Sequence, residues 1–523
     1  MEDVTTQVPD AHRATLSKAH EAFFDGEFER CLTMCDGITV RDDGMRFELA
    51  LLRARVLLRL GRGDRAIDVL RSCAFVPADP DAYVSVHMLL GMAFARLGQH
   101  ERGESLLTQA RDLEGEAHPT IRAELLLNRG LAKYFAGNAE EADTLLESVP
   151  PNADMISARA LEYRGWIAAS RGLIDKAAYW FRSAITCIRS CRWRDRFVEA
   201  SVLQGLATVN SEMMTTVGWS DVESRIRSFD WNADGLGIPR FWVAVYCAMM
   251  SEALGEDLDA RAWAREAERR APNQAYRAMA LCRTAALFRG IDDAEAHLEF
   301  ALRAEEAYGE LEPGSLGADQ RRLPLFIASE FAYAGSFSDA QRLMTQYREI
   351  VVPGLPNVGG DERFRALEFL VDGRLAEGRG ERPTAVHSYT KALRILRKGG
   401  YRRQAVEVAL RLARLTGSVR YAEYAAPALD QVHPNYWMAR ELRALKSDVA
   451  PALTNRQRAI LRLVAEGKTY KEIGAALGRS WKTIANSVEQ LRGKFEAGTR
   501  GELVAIALRH GLVEVGDKTT RSA

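Results

Sequence analysis

The sequence contains no stretch of 18 uncharged apolar residues, and its opening, MEDVTTQVPDAHRA, lacks the apolar core of a secretion signal. Neither membrane insertion nor secretion is expected, and a cytoplasmic location follows. Cysteine is sparse: seven in 523 residues, at 31, 35, 73, 187, 191, 247 and 282, an odd and scattered set that fits reduced thiols rather than a disulfide framework. Cys31/Cys35 and Cys187/Cys191 are i,i+4 pairs on expected helices. No histidine or second pair stands near them at a zinc spacing, so they read as small core residues. The nine histidines form no HExxH pattern, and no GxSxG nucleophile elbow occurs. GKT at 467–469 is not a phosphate loop, because Arg462 stands where the first glycine of that motif is required. No enzyme, metal site or cofactor is expected. A phosphate-accepting receiver domain needs alternating strands, and residues 1–430 read as helical throughout.

Charge of one sign is not in excess overall: Lys+Arg and Asp+Glu are 71 each. The balance is uneven along the chain, however. Residues 451–523 hold thirteen basic side chains against seven acidic ones, a surplus of six that the rest of the chain offsets. A basic end on a neutral chain points to an anionic partner for that end. The overall composition, 47% apolar and 27% charged, is that of an ordinary folded protein.

What the sequence has in quantity is glycine at a fixed period. Gly26, Gly61, Gly98, Gly137, Gly172, Gly255, Gly290, Gly335, Gly380 and Gly417 recur every 35–45 residues, apart from one gap of 83 that reads as two periods with a lost turn. Five residues after each glycine stands Cys31, Ala66, Gly103, Ala142, Ala177, Ala260, Glu295, Ala340, Ala385 or Ala422, small in nine of ten cases. Four residues further on, Leu70, Leu107, Leu146, Phe181, Met344 and Tyr389 are large, with Ala264, Glu299 and Ala426 as exceptions. Seven residues before the glycine, small residues recur at Gly91, Gly130, Gly165, Ala248, Ala328 and Gly373. The pattern describes a helical hairpin: glycine permits the tight turn, the small residues let the helices approach, and the bulky one fills the groove. This spacing resembles the tetratricopeptide repeat over roughly residues 13–430. The resemblance implies an α-solenoid whose concave face, lined by the first helix of each pair, holds a peptide, a protein segment or a small ligand. In that register the inner surface presents Tyr134, Arg159, Glu162, Trp166 and Trp242, which can hold an amphipathic ligand or pack between repeats.

Three stretches interrupt the period: residues 192–240, where the turn glycine is missing, and the loop-like segments 311–320 and 351–362. The first, rich in turn residues and aromatics, is either a degenerate repeat or a binding insert. Residues 431–452 read as a helical connector ending at Pro451.

Residues 453–515 form a separate module. Capping boxes at Thr454/Gln457, Thr469/Glu472 and Thr499/Glu502, with Ser480 as a further cap, predict four helices near 455–466, 470–477, 481–495 and 500–511. The second and third are in helix-turn-helix relation. In the third, Ile484, Val488, Leu491 and Phe495 share one stripe, while Lys482, Asn486, Glu489 and Gly493 face away, with Gln490 at the edge. Asn and Gln can pair with adenine, Glu can accept from cytosine, and Lys can meet a phosphate or guanine.

From Leu453 to Leu512 the string LTNRQRAILRLVAEGKTYKEIGAALGRSWKTIANSVEQLRGKF, continued by TRGELVAIALRHGL, closely resembles the LuxR/GerE-type helix-turn-helix. TYKEIGAALG alone is also similar to region four of sigma factors, but the last helix follows the LuxR pattern. The resemblance implies DNA contacts from Lys468, Lys471, Arg479, Ser480, Trp481, Lys482, Thr483, Asn486, Glu489, Gln490, Arg492 and Lys494. It further implies homodimerisation around Leu503, Ile506, Ala507 and His510. Ala485 and Ser487 depart from the family's basic residue and histidine, and Glu496 from its glycine, so base preference does not carry over.

The expected fold is all-α: a tetratricopeptide-like solenoid (13–430), a helical connector (431–452) and a four-helix LuxR-type domain (453–515). The expected function is a transcriptional regulator that binds double-stranded DNA at its C-terminal domain and an unknown small-molecule, peptide or protein effector at its solenoid. The alternative is a scaffold that recruits another protein to DNA.

Overall fold

In the computed structural model the described residues are 7–38, 42–72, 79–152, 154–191, 193–311, 320–350, 361–448, 453–495, 497–509 and 512–513. Most of the loop-like segments 311–320 and 351–362, the end of the connector, Cys73, Glu496 and His510 lie outside them. Among the described residues all regular structure is helical, as the glycine period and the capping boxes predict. No helix there is long and apolar enough to cross a membrane.

The chain divides into two compact units, residues 1–405 with 431–436, and residues 406–430 with 437–523. The first begins with the hairpins α1 (Gln7–Phe24)/α2 (Phe28–Asp36), α3 (Asp43–Arg59)/α4 (Gly63–Arg71) and α5 (Pro80–Arg96)/α6 (His100–Asp112). It continues with α7 (Pro119–Phe135)/α8 (Ala139–Glu147), α9 (Met155–Ser170)/α10 (Ile174–Ser190) and α11 (Arg196–Met213)/α12 (Trp219–Ser228). Then come α13 (Gly237–Ala253)/α14 (Asp257–Arg269), α15 (Gln274–Gly290)/α16 (Ala294–Gly309), α17 (Leu323–Ala334)/α18 (Phe337–Ile350) and α19 (Asp361–Gly378)/α20 (Arg382–Lys398). The helix α21 (Arg402–Thr416) starts here and ends in the second unit, which adds α22 (Val419–Leu429) and α23 (Trp437–Asp448).

Nine of the ten ladder glycines take a left-handed conformation with φ between 67° and 83°, the backbone state that a residue with a side chain resists. Gly290 does not. It is the last residue of α15, and Asp292 (φ 60°) makes the turn two residues later. The register of that repeat shifts accordingly, so the apparent exceptions Glu295 and Glu299 leave the packing positions to the buried His297 and Ala301. Residues 192–240 contain a complete hairpin, α11/α12, whose turn uses Met214 (φ 53°) and Gly218 (φ 75°) in place of a single glycine.

The small and large positions meet as the spacing requires. A Cβ added at Gly165 would lie 2.6 Å from the ring of Phe181, and one at Gly373 2.6 Å from Tyr389; both aromatic side chains are fully buried. The two helices of a hairpin are buried unequally. Eleven of the seventeen residues of α5 are buried but only three of the thirteen in α6, and α13 and α14 repeat the contrast with twelve of seventeen and three of thirteen. The first helix is thus covered on both sides, and the second shows its polar face to solvent.

Within this unit, hairpin ends that are distant in sequence touch. Gly235 donates to the Gly26 carbonyl (2.9 Å), Tyr401 donates its hydroxyl to the Ser170 carbonyl (3.3 Å), and His433 donates to the Ala253 carbonyl (2.8 Å). The array curls back on itself, and the faces of its first helices turn inward.

Candidate nucleic-acid interface and the enclosed face of the solenoid

The C-terminal domain has four helices, α24 (Asn455–Ala465), α25 (Tyr470–Leu477), α26 (Trp481–Lys494) and α27 (Arg500–Arg509). Thr454 and Thr469 each close a full capping box, with Gln457 and Glu472, and Ser480 accepts from the Thr483 backbone N–H (3.2 Å). The Thr469 backbone N–H and hydroxyl, both donating to the Glu472 carboxylate (2.7 and 2.8 Å), hold that carboxyl below its ordinary pKa. The turn between α25 and α26 passes through Gly478 (φ 64°), and a Cβ on Gly474 would lie 2.6 Å from the Arg479 carbonyl. Only a residue without a side chain fits there, so Gly474 sets how closely α26 crosses α25.

Ile484, Val488 and Leu491 are fully buried with Ile460, Leu461, Ile473 and Leu503, and this core orients α26. Its outer face carries Trp481, Lys482, Thr483, Asn486, Glu489, Gln490 and Lys494, all exposed; Trp481 keeps 51% of its surface in solvent. Lys468, Lys471, Arg479 and Ser480 flank it and are exposed too. Apart from Arg492, the predicted contact residues are therefore all exposed, along α26 and on the segment that precedes it. Arg492 differs: half-buried, it binds Glu489 (2.8 Å) and the carbonyls of Ala497 and Gly498, which ties it to the loop before α27. Of the residues expected at a dimer contact, Leu503 and Ala507 lie wholly within the domain's own core, and Ile506 is half-buried at its edge.

In the solenoid, α9 carries Arg159, Glu162 and Trp166, and Trp166 packs edge-on against the buried Phe181 of α10 (5.0 Å between ring centres). Glu162 is buried and accepts from the Ser201 hydroxyl, which in turn accepts from the Trp166 indole N–H (3.3 Å). Burial pushes the Glu162 carboxyl up to about 6, against the opposing pull of Ser201, Arg159 and Arg59. Tyr134, on α7, packs edge-on to Tyr163 of α9 (5.8 Å between ring centres). Trp242, on α13, stacks on Tyr246 (5.9 Å) and meets Tyr276 edge-on (6.4 Å) in the neighbouring core cluster.

These residues belong to a longer series that the spacing did not reveal. Arg59 pairs with Asp195 (2.6 Å), both nearly inaccessible; Arg55 pairs with Glu124 (2.8 Å), Arg363 with Glu212, and Arg403 with Glu252 (3.2 Å). A local signal exists: Glu252, Arg283 and Glu330 are lone charges inside otherwise small and apolar strings, CAMMSEAL, ALCRTAAL and FIASEFAY. Among the described residues no group of three or more His, Cys, Asp or Glu side chains is arranged to hold a metal ion.

Residues 451–507 match the model of the family described as bacterial regulatory proteins, luxR family, and residues 4–164 match that of the ESX-1 secretion system protein EccA1, N-terminal domain. The response regulator Rre1 of Synechocystis sp. is 34% identical over 88 residues, covering 14% of this chain and 38% of that protein. The chain thus spans well under half the length of this relative. Among solved structures, the Rap protein complexed with competence and sporulation factor matches 69% of this chain and 99% of its own, at 13% identity and TM-score 0.46. The apo quorum sensor NprR of B. thuringiensis matches 81% and 99%, at 12% identity and TM-score 0.38. The C-terminal domain is therefore a LuxR-family helix-turn-helix domain, the DNA-binding module of transcriptional regulators.

Proposed function

We propose that this protein is a sequence-specific transcriptional regulator whose solenoid (13–430) senses a small ligand or a protein partner and whose C-terminal domain (453–515), joined by the connector 431–452, binds operator DNA as one half of a homodimer. The observation that carries the reading is the exposed polar face of α26 beside a basic surplus, on a domain matched by the luxR family model. Asn486, Glu489 and Gln490 are placed to read base edges, with Trp481, Lys482 and Thr483 at the end of the helix that enters a major groove. Lys468, Lys471, Arg479, Ser480, Arg492 and Lys494 serve the phosphates. Because Leu503 and Ala507 are buried within the domain, the dimer contact falls on Ile506 and its exposed neighbours. The enclosed, charge-lined face of the solenoid supports an effector site, with Tyr134, Arg159, Glu162, Trp166 and Trp242 as its proposed lining. The family matches are to a regulatory DNA-binding module and a secretion-system domain, and no enzymatic activity is proposed.

Genome-wide mapping of binding sites in the native host tests the reading. A limited set of sites sharing a two-fold symmetric motif is expected, lost in a Trp481→Ala, Lys482→Ala double variant. Uniform, sequence-independent occupancy that survives the double variant would refute it.

A further inference from the structure

We propose that Trp481 selects thymine: its indole packs on the 5-methyl group of a thymine in the major groove, so that the operator requires a T·A pair at that place. The inference rests on the reading of the C-terminal domain as an operator-binding module and names one base that it selects.

Trp481 is the first residue of α26 and keeps 51% of its surface in solvent. Among the described residues of the domain it is the one large apolar side chain left exposed. Leu453, Tyr470, Leu477 and Ile506 are each partly buried against the domain core, and Trp481 is not among the residues packed there. Its side chain therefore adds little to the stability of the domain, and it leaves apolar surface in water that contact with a partner would remove.

The position of Trp481 is nevertheless fixed. The backbone leading into it lies hard against α25, where a Cβ on Gly474 would stand 2.6 Å from the Arg479 carbonyl and 3.5 Å from the Trp481 backbone nitrogen. On either side of it, the hydroxyls of Ser480 and Thr483 are hydrogen-bonded to each other (2.9 Å), and the Thr483 backbone N–H donates to Ser480 (3.2 Å). The polar side chains that flank the indole are thus engaged in the helix cap. Four residues on, and so on the same side of the helix, Ala485 is small.

What a fixed indole at this place meets follows from the groove. A recognition helix enters the major groove, and the residues at its N-terminal end reach the base edges. Apolar wedges that part base steps act from the minor groove, which is too narrow to admit a helix. On the major-groove edges of the four bases, thymine alone carries a methyl group, and apolar side chains read it by contact. Lys482, whose ammonium stands 6.0 Å from the centre of the indole ring, then serves a phosphate beside that base.

The test uses the full-length protein and a duplex selected with it from a random-sequence library. Each thymine of the selected duplex is replaced in turn by deoxyuridine, which removes the methyl and keeps every hydrogen-bonding group. At one thymine or more the replacement is expected to weaken binding about fourfold, the effect of one buried methylene-sized group. Trp481→Ala is expected to bind the thymine and uracil duplexes alike, while base-pair changes elsewhere in the site still weaken it as they weaken the wild type. Should the Ala variant bind too weakly to measure, Trp481→Gln decides between the same two outcomes. Uracil bound as tightly as thymine at every position, or an undiminished preference for thymine in the variant, overturns the proposal and leaves the operator reading standing. A selection that yields no shared motif overturns that reading, and this inference with it.

Discussion

In the first helices of the solenoid, Glu162 and Glu252 are buried and the Arg59 side chain, packed on the Phe23 and Phe197 rings, is nearly inaccessible, whereas in the helix-turn-helix domain no charged residue is buried among those described. There the inside is Ile, Leu, Val, Phe and Ala, and the charges stand on the surface of α26 and its approaches. One region displays its charges, and the other encloses many of them. A surface that meets a long polyanion has to be convex and open, because the phosphates come to it. Side chains that hold a small ligand work best with water largely excluded, where each ionic contact is stronger.

The sharpest way to break this contrast is to open the solenoid without touching the domain that reads DNA. Phe181, fully buried against Gly165 and Gly205, is the plug of the α9/α10 hairpin. Phe181→Ala should cost about 3–5 kcal/mol of unfolding free energy, read by denaturant titration, while DNA binding by residues 450–523 alone stays at the wild-type value. The converse change acts on the open surface. Asn486→Ala should cost about 1–3 kcal/mol in operator affinity and alter base preference, with the unfolding midpoint unmoved. Unchanged affinity and preference would remove Asn486 from the reading face.

A third experiment measures the cost of enclosure directly. The Glu162 carboxyl, pushed up to about 6 from 4.5 by burial, favours the folded state when protonated. Its contribution is fully present below about pH 4.5 and is lost as pH rises through 6, a change of about 2 kcal/mol. Glu162→Gln should flatten the stability profile between pH 5 and 7, as followed by urea unfolding at each pH; an unaltered slope would show that the carboxylate is compensated in place. The smallest effect is expected at the surface. Thr469→Ala removes the cap of α25 and should cost about 1 kcal/mol, seen as a lower melting temperature of the C-terminal domain.

The two regions also differed in how far their residues disclosed them. The hairpins were legible because a turn of this kind needs a left-handed residue, and glycine advertises that need. Where another residue meets that need, the period gives no signal: Gly290 belongs to its helix while Asp292 turns the chain, and Met214 with Gly218 replaces the glycine missing from 192–240. The four C-terminal helices were legible from Thr454, Thr469 and Ser480, since caps act within one turn of helix. The enclosed ion pairs were not. Arg59 meets Asp195 across 136 residues, and Arg363 meets Glu212 across 151. No local period encodes such a meeting; it depends on how far the whole array curls. For the same reason Leu503 and Ala507 looked available for a dimer, although the fold of the domain uses both.

The contacts that close the array, Gly26 with Gly235, Ser170 with Tyr401 and Ala253 with His433, have a kinetic side. An open row of repeats joins only neighbours, so it can begin to order anywhere and spread one unit at a time. Here each closing contact spans about two hundred residues, and the entropy of bringing such remote segments together has to be met before the contact repays it. The last stage of folding is therefore slow and shared by the whole array, and removal of the first or last hairpin releases a segment near its middle as well as an end.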